Sequence, residues 1–427
     1  MDHVTGAGPR PNRSSPLRHG YLVKHRALNL ALRTRDAWLE RTRSSGSASV
    51  VLPAVPRRLL VCIGGHIGDA VLATSVLPVL QAGYPDALIG VLAPSWSLPV
   101  FENHRAIRWR HAFDHWKTNR SGSALERWIG YRRSAARAVV EISEIGYDVA
   151  VDLYPYFPNA AQVLSDAAVP IRIGYTSGGG GPLYSHSVPW VDTPRHTVEQ
   201  HLALMGRFLP KLTSASLHYD LPPIGADAEA RGRALLESLG IESRRYVVLH
   251  PGAGNTRKQW QADRWRALID RLRQFETDLR IVLTGQGSSD SAIVDEIRAG
   301  DASLVSACDR TSWNELRYLL GRAALVVGVD SLAVHLAAAN DVPCVAIMAA
   351  TSDPAHWRPL GSRVRALTNA MPCAPCFRSA GCATMCCVRG VTADDVARAA
   401  VELLDSARRP ASGGTGTDER PLSTSLR

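Results

Sequence analysis

Apolar runs and helix-period stretches alternate along most of the chain. RRLLVCIGG (57–65) is a continuous apolar run entering a glycine turn, which predicts a buried strand. GDAVLATSVLPVLQAGYP (68–85) reads as helical, and ALIGVLAP (87–94) as a second strand. ERWIGYRRSAARAVVEISEIG (126–146) and YDVAVDLYP (147–155) give a further helix and strand. SGGGGPLYSH (177–186) reads as a flexible loop at the edge of this half. Residues 211–230 cross over, and the rhythm then repeats. YVVLHPGAG, LRIVLTGQGSS, ALVVGVDS and VPCVAIMAATSDP are strands into turns, separated by helices such as ADRWRALIDRLRQF and AVHLAAAND. Such alternation predicts an α/β fold with parallel sheets covered on both faces. The expected units are an extension over 1–55, Rossmann-like domains over 56–225 and 226–407, and a disordered tail over 408–427.

Two such halves imply a cleft between them. In open α/β sheets, ligands bind at the carboxyl ends of the strands. The loops to inspect are therefore 64–69, 250–258, 285–290, 328–331 and 349–354.

Composition narrows the class. Hydrophobic residues are 45% of the chain and charged residues 21%, a globular balance. No apolar run approaches the roughly 20 residues of a membrane span, and the N-terminus has no signal-peptide core. A cytosolic protein is expected. The net charge is +10, and residues 1–55 hold nine Lys/Arg against three Asp/Glu. The body is only mildly basic, which argues against nucleic acid as a partner. Within the extension, LVKHRALNLALRTRDAWLERTR looks like a basic helix with Tyr21, Leu28, Ala31, Leu32 and Leu39 on one face, interrupted by Arg35. It could lie on an anionic membrane, or pack on the body or another subunit.

Candidate chemistry sits in the strand-end loops. CIGGHIGDA (62–70) fails the G-x-G-x-x-G dinucleotide pattern, because Gly65 and Gly68 match but Ile63 takes the first position. Asp69 lies near the start of the next helix, where a carboxylate can complement the dipole. In HPGAGNTRKQW (250–260), Gly252 and Gly254 permit close backbone approach to an anion. Thr256, Arg257 and Lys258 add a hydroxyl and two cations, which suits a diphosphate. GVDSLAVHLAAA (328–339) puts Asp330 and Ser331 at a strand-to-helix turn and His335 inside the helix. These groups could meet sugar hydroxyls or phosphate, or serve as a cap and a core histidine. Asp290, in GQGSSD, could accept from a ribose or face solvent. Five of the eight cysteines fall between 373 and 387. Cys373, Cys376, Cys382 and Cys386 form a candidate ligand set for structural Zn²⁺ or iron, with reduced structural thiols as the alternative. The cluster is expected to lie far from acid/base chemistry.

Taken in order, several stretches resemble the heptosyltransferase family, glycosyltransferase family 9. They are RRLLVCIGGHIGDAVLATSVLPVLQAGYPDALIGVLAP, VVLHPGAGNTRKQWQADRW, IVLTGQGSSD and LVVGVDSLAVHLAAANDVPCVAIMAATSDPAHWRP, spanning roughly 56–405 with the C-x-x-C segment. The resemblance implies a GT-B fold: two facing Rossmann-like domains, acceptor on the first and nucleotide sugar on the second. It implies inverting transfer of a heptose from ADP-heptose to lipopolysaccharide core, with no cofactor or divalent metal required for the chemistry. By motif position, Asp69 matches the general base and Lys258 the lysine on the donor phosphate. Gly68 belongs to the acceptor-side Gly-Asp turn, and Gly252 and Thr256 to the donor loop. Asp290 falls near the ribose acid, while Asp330, Ser331 and His335 match D-[ST]-G-x-x-H. Leu332 stands where the family has glycine, and GGHI replaces a serine-rich loop. The implied partners are a nucleotide-sugar donor and a lipid-linked or glycan acceptor, with peripheral placement at the inner face of the inner membrane. The alternatives are another nucleotide sugar on a protein or other glycan, or a non-catalytic nucleotide-sugar-binding module.

Overall fold

The computed structural model describes residues 26–43, 53, 55–191, 193, 195–212, 217–241, 245–351, 353–376 and 381–408. Tyr21 and the tail after 408 lie outside the described residues.

Two six-stranded sheets form, with parallel pairing throughout. The first contains β1 (Arg58–Cys62), β2 (Leu88–Ala93), β3 (Ile107–Ala112), β4 (Val149–Asp152), β5 (Ile171–Tyr175) and β6 (His186–Val188), in the order β3-β2-β1-β4-β5-β6. The second contains β7 (Tyr246–His250), β8 (Arg280–Leu283), β9 (Val305–Ser306), β10 (Leu325–Val329), β11 (Cys344–Ile347) and β12 (Val364–Leu367), in the order β12-β11-β10-β7-β8-β9. The central strands are buried on both faces, which is why they read as unbroken apolar runs. Strand order reverses between β1 and β4 and again between β7 and β10. The crevice at the carboxyl ends of each of these pairs is the place for a ligand.

One core cluster runs through both halves. It joins Val71 and Leu72 of the helix Ile67–Ala73 to Ala333, Leu336 and Ala337 of the helix Leu332–Ala339. Ile67 and Leu332 pack at its margin. The two switch-point helices therefore touch, and the loops beside them face each other.

The glycine stretch at 177–186 is not the flexible loop its composition suggests. Ser177, Gly178 and Gly181 are buried, and two short 3₁₀ turns shape the segment. The N-terminal helix Arg26–Arg43 is seated on it. Leu32 meets Gly179, at φ +80°, within 3.3 Å of where a Cβ would stand. The buried Asp36 carboxylate accepts from Gly180 N at 2.7 Å and pairs with Arg35 at 2.9 Å. Ala31, expected on the inner face, is exposed. Arg35 does not interrupt that face, because its charge is met by Asp36. Asp36→Ala removes the acceptor from a buried N–H, at a cost of about 2 kcal/mol. The expected result is faster hydrogen exchange confined to residues 26–43 and 177–183.

Candidate functional site

The first switch point carries Asp69. After β1, Gly65 turns the chain at φ +87°, the left-handed region that glycine tolerates. His66 then leads into the helix Ile67–Ala73, and its N–H donates to Asp69 Oδ2 at 2.7 Å. This is the reciprocal half of a capping box, so the carboxylate does hold the helix start. Its surroundings do more. Burial pushes the Asp69 carboxyl up to about 6; the His66 N–H and Lys258 oppose that rise, and Asp330 adds to it. The bend and the second half thus share one electrostatic field. A Cβ on Gly68 would meet nothing within 4 Å, so open space stands beside the acid.

Tyr154 closes the other side of the bend. A Cβ on Gly64 would lie 2.7 Å from Tyr154 Cδ1, and one on Gly65 2.8 Å from Cε2. The ring therefore covers both glycines, which explains that pair. Buried Asp152 fixes the turn that aims the ring: it accepts from Tyr154 N at 3.1 Å, Ala160 N at 2.5 Å and Tyr184 Oη at 2.7 Å. Tyr154 stacks edge-on to Tyr156 at 5.4 Å, and Tyr156 approaches Trp357 of the second half at 6.5 Å. Trp96 Nε1 donates to Gly65 O at 3.4 Å. Asp69 thus stands beside an aromatic wall.

The second switch point carries the ion pair. Lys258 closes the short 3₁₀ turn Thr256–Lys258 and donates to Asp330 Oδ2 at 2.7 Å. Asn255 caps that turn through Arg257 N. Trp260, fully buried edge-to-face on Trp265 at 5.1 Å and donating to Val391 O, anchors the loop's end. Thr256 and Arg257 are exposed on the loop. Ser331 precedes the helix Leu332–Ala339 without capping it, and its buried Oγ has no partner among the described residues. His335 is buried. Tyr219 Oη accepts from Leu360 N and gives its own proton to His335 Nδ1, each at 3.0 Å. Burial lowers the imidazole to about 4, so it is neutral, with its proton on Nε2.

The glycines of the loop after β7 differ from expectation. The space beside Gly252 is filled by the protein's own Asp290, whose Oδ2 lies 2.1 Å from where a Cβ would be. Asp290 also accepts from Gln286 N at 3.0 Å and from Ala253 N, and burial raises its carboxyl. It braces two loops. Gly252→Ala would expel this carboxylate from its donors, costing about 1–3 kcal/mol; thermal unfolding should show the loss.

The space beside Gly254 is filled by Arg120 from the first half, with Nη1 at 2.1 Å from the Cβ position. Arg120 Nη2 also meets His66 Nε2 at 2.9 Å. Burial, with Arg120 and Lys258 adding, lowers His66 to about 4, so the neutral ring accepts. The guanidinium spans the cleft from the acid's bend to the loop after β7. Arg120 and Tyr154 were not among the candidates read from the sequence. Tyr154 follows a readable strand, and the strand-end rule extended to β4 finds it.

The cysteines are arranged differently from expectation. Among the described residues, no three His, Cys, Asp or Glu side chains come together to hold a metal. Cys373, Cys376, Cys382 and Cys386 are thus not gathered. The chain doubles back at Met385, φ +43°, where Met385 N donates to Cys382 Sγ. Cys386 faces solvent, whereas Cys387, outside the proposed set, is the buried thiol near Cys376. Nor is the segment remote from the site, since Gly381 lies 3.2 Å (Cβ position) from the Arg257 side chain.

The fold and the facing loops define a GT-B protein, two Rossmann-like halves around a cleft. The family model for glycosyltransferase family 9 (heptosyltransferase) matches residues 136–385. The chain belongs to this family. It is 28% identical over 303 residues to lipopolysaccharide heptosyltransferase 3 of Escherichia coli K12, covering 68% of this chain and 82% of that protein. It is 25% identical over 319 residues to lipopolysaccharide heptosyltransferase 2 of the same strain, covering 73% and 87%. Among solved structures it resembles E. coli ADP-heptose lipopolysaccharide heptosyltransferase II, with TM-score 0.63 and 21% identity, over 82% of this chain and 100% of that one. It also resembles the family 9 glycosyltransferase of Veillonella parvula, with TM-score 0.68 and 18% identity, over 82% and 98%. No described helix is long and apolar enough to cross a membrane.

Proposed function

We propose that this protein is an inverting heptosyltransferase that moves a heptose from an ADP-heptose-type donor to a lipopolysaccharide-core acceptor. The observation that carries the reading is the opposition of Asp69 to the Lys258–Asp330 pair across the cleft. Both curated relatives described above are lipopolysaccharide heptosyltransferases. A structural neighbour from E. coli, TM-score 0.57, was solved with ADP-2-deoxy-2-fluoro heptose.

In this mechanism the acceptor lies in the open space at Gly68, against Tyr154 and Tyr156. Asp69 takes the acceptor hydroxyl's proton as the new bond forms at the anomeric carbon. The ADP leaves from the opposite face. Lys258 and Arg120 stabilise the charge growing on its diphosphate, and the unpartnered Ser331 hydroxyl and the His335 Nε2–H supply hydrogen bonds to the donor. The contact of the two switch-point helices aligns both reactants and excludes water. No cofactor enters these steps. A lipid-linked acceptor would bring the enzyme to the cytoplasmic face of the membrane.

A donor panel scored by nucleotide release tests the reading. ADP-heptose with core acceptor should release ADP well above the rate without acceptor. Equal release from UDP- or GDP-sugars would favour a second reading, another donor sugar, which Leu332 motivates. That side chain begins the helix Leu332–Ala339 and packs at the domain contact, at the position where the family resemblance implies glycine. Leu332→Gly should then change donor KM several-fold with kcat for the bound donor little altered.

A further inference from the structure

We propose that the acceptor-side rim of the cleft is a docking surface for an anionic lipid bilayer, so that the cleft opens onto the membrane. The inference deepens the reading above by naming the surface that receives the acceptor's lipid.

Nine large hydrophobic side chains are exposed among the described residues, and five of them lie on three segments of this rim. Leu30 (67% exposed) and Trp38 (62%) stand on the outer face of the N-terminal helix. Trp116 lies on the loop after β3, and Leu125 (66%) and Trp128 (52%) begin the helix Ala124–Ile145. Leu30, Thr34 and Trp38 follow the i, i+4, i+8 spacing of one helix row, with Ala27 and Ala31 exposed beside them. Asp36 and Leu32 hold the opposite row on the glycine loop, so the apolar row must face outward.

A chain of contacts joins these segments to the acid's bend. The Arg35 charge reaches the Tyr131 phenol. The Tyr131 ring lies 4.6 Å from His115, and His115 lies 5.3 Å from Trp116. The Lys117 ammonium sits 5.0 Å over Phe157, itself 5.2 Å from His115. Three residues further on, Arg120 meets His66. The rim is thus continuous from the N-terminal helix to the mouth beside Asp69.

Its charge selects the occupant. Arg33, Arg41, Lys117, Arg132 and Arg133 are exposed there, against Glu40 and Glu126, and Glu126 is occupied in capping Ser123. Tryptophans interleaved with cations, spread over three segments of one face, suit the headgroup region of an anionic bilayer.

The test is co-sedimentation of the full-length protein with vesicles of phosphatidylcholine, alone or mixed with phosphatidylglycerol. Wild-type protein should prefer the anionic vesicles and lose them at high salt. Leu30→Glu with Trp38→Glu, and separately Trp128→Glu, should reduce the bound fraction about tenfold. Leu88→Glu, exposed at the amino end of β2 on the opposite edge, should bind as wild type. All variants should melt as wild type and release nucleotide normally with a delipidated, soluble acceptor. Undiminished binding by the rim variants, or no preference for anionic vesicles, overturns the proposal. So does a dimer in solution that the same substitutions dissolve. Absence of sugar transfer would fail the enzymatic reading and leave the vesicle result standing.

Discussion

Asp69→Asn should lower transfer by about 10²–10⁴-fold, the range of a positioned general base, and leave donor affinity near wild type. The amide oxygen still accepts from His66 N, so the helix start survives the change. The pH dependence is specific. With the carboxyl pushed up to about 6 by burial, kcat/KM should fall about tenfold per unit below that value as the base is protonated. Stability moves the other way. A native value above the ordinary 3.8 means that the folded state keeps the proton more tightly. That contribution is fully present below 3.8 and is lost as pH rises through about 6. Asparagine never ionises and escapes the loss. The variant should therefore be as stable as wild type at pH 8, or more stable by up to about 3 kcal/mol. Dead but stabilised protein is the expected combination. Wild-type turnover would remove Asp69 from the mechanism, and a lower melting temperature would mean that the carboxylate mainly holds the turn.

The central strands were readable because both their faces are covered. β1, β2, β4, β7, β8, β10 and β11 are apolar runs ending in turns. The others sit at or near sheet edges, where half-exposure breaks the run. β3 reads IRWRHA, with Arg108 and Arg110 on the open face, and β9 has only two residues. Missing β3 hid the loop after it, and with that loop Arg120. The order reversals that locate both crevices are a matter of pairing between distant strands, and no local pattern reports them.

The residues on readable strand ends were found, but the space around them was not. Gly252 and Gly254 announced that something must approach the backbone closely. The occupants are Asp290 and Arg120, one from the helix after the next strand and one from the other domain. Only the fold decides whether a ligand or a side chain takes such a space. Likewise, C-x-x-C spacing describes what two thiols can reach, while the left-handed turn at Met385 decides where the next ones point. Leu30 and Trp38 lie off the helix face that the sequence suggests. The Asp36 anchor gives them a direction.

Lys258→Met should cost about 10²–10³-fold in kcat, the loss expected when a charge that stabilises a leaving group is removed. The substitution has a second effect that must be separated from the first. Lys258 and Asp330 are mostly covered, with side chains 25% and 13% exposed. Removing the lysine leaves Asp330 short of its donor, a destabilisation of about 1–3 kcal/mol, and lost activity could then reflect a distorted loop. Lys258→Met with Asp330→Asn removes both charges and the stranded carboxylate together. If the lysine acts on the donor diphosphate, the double variant regains the melting temperature but not the turnover, because the missing cation is needed only as charge builds on the leaving ADP. Asp330→Asn alone should keep measurable transfer, since Lys258 remains free to reach the phosphate. Recovery of both stability and turnover in the double variant would make the pair a structural clasp and leave Arg120 as the cation at the diphosphate.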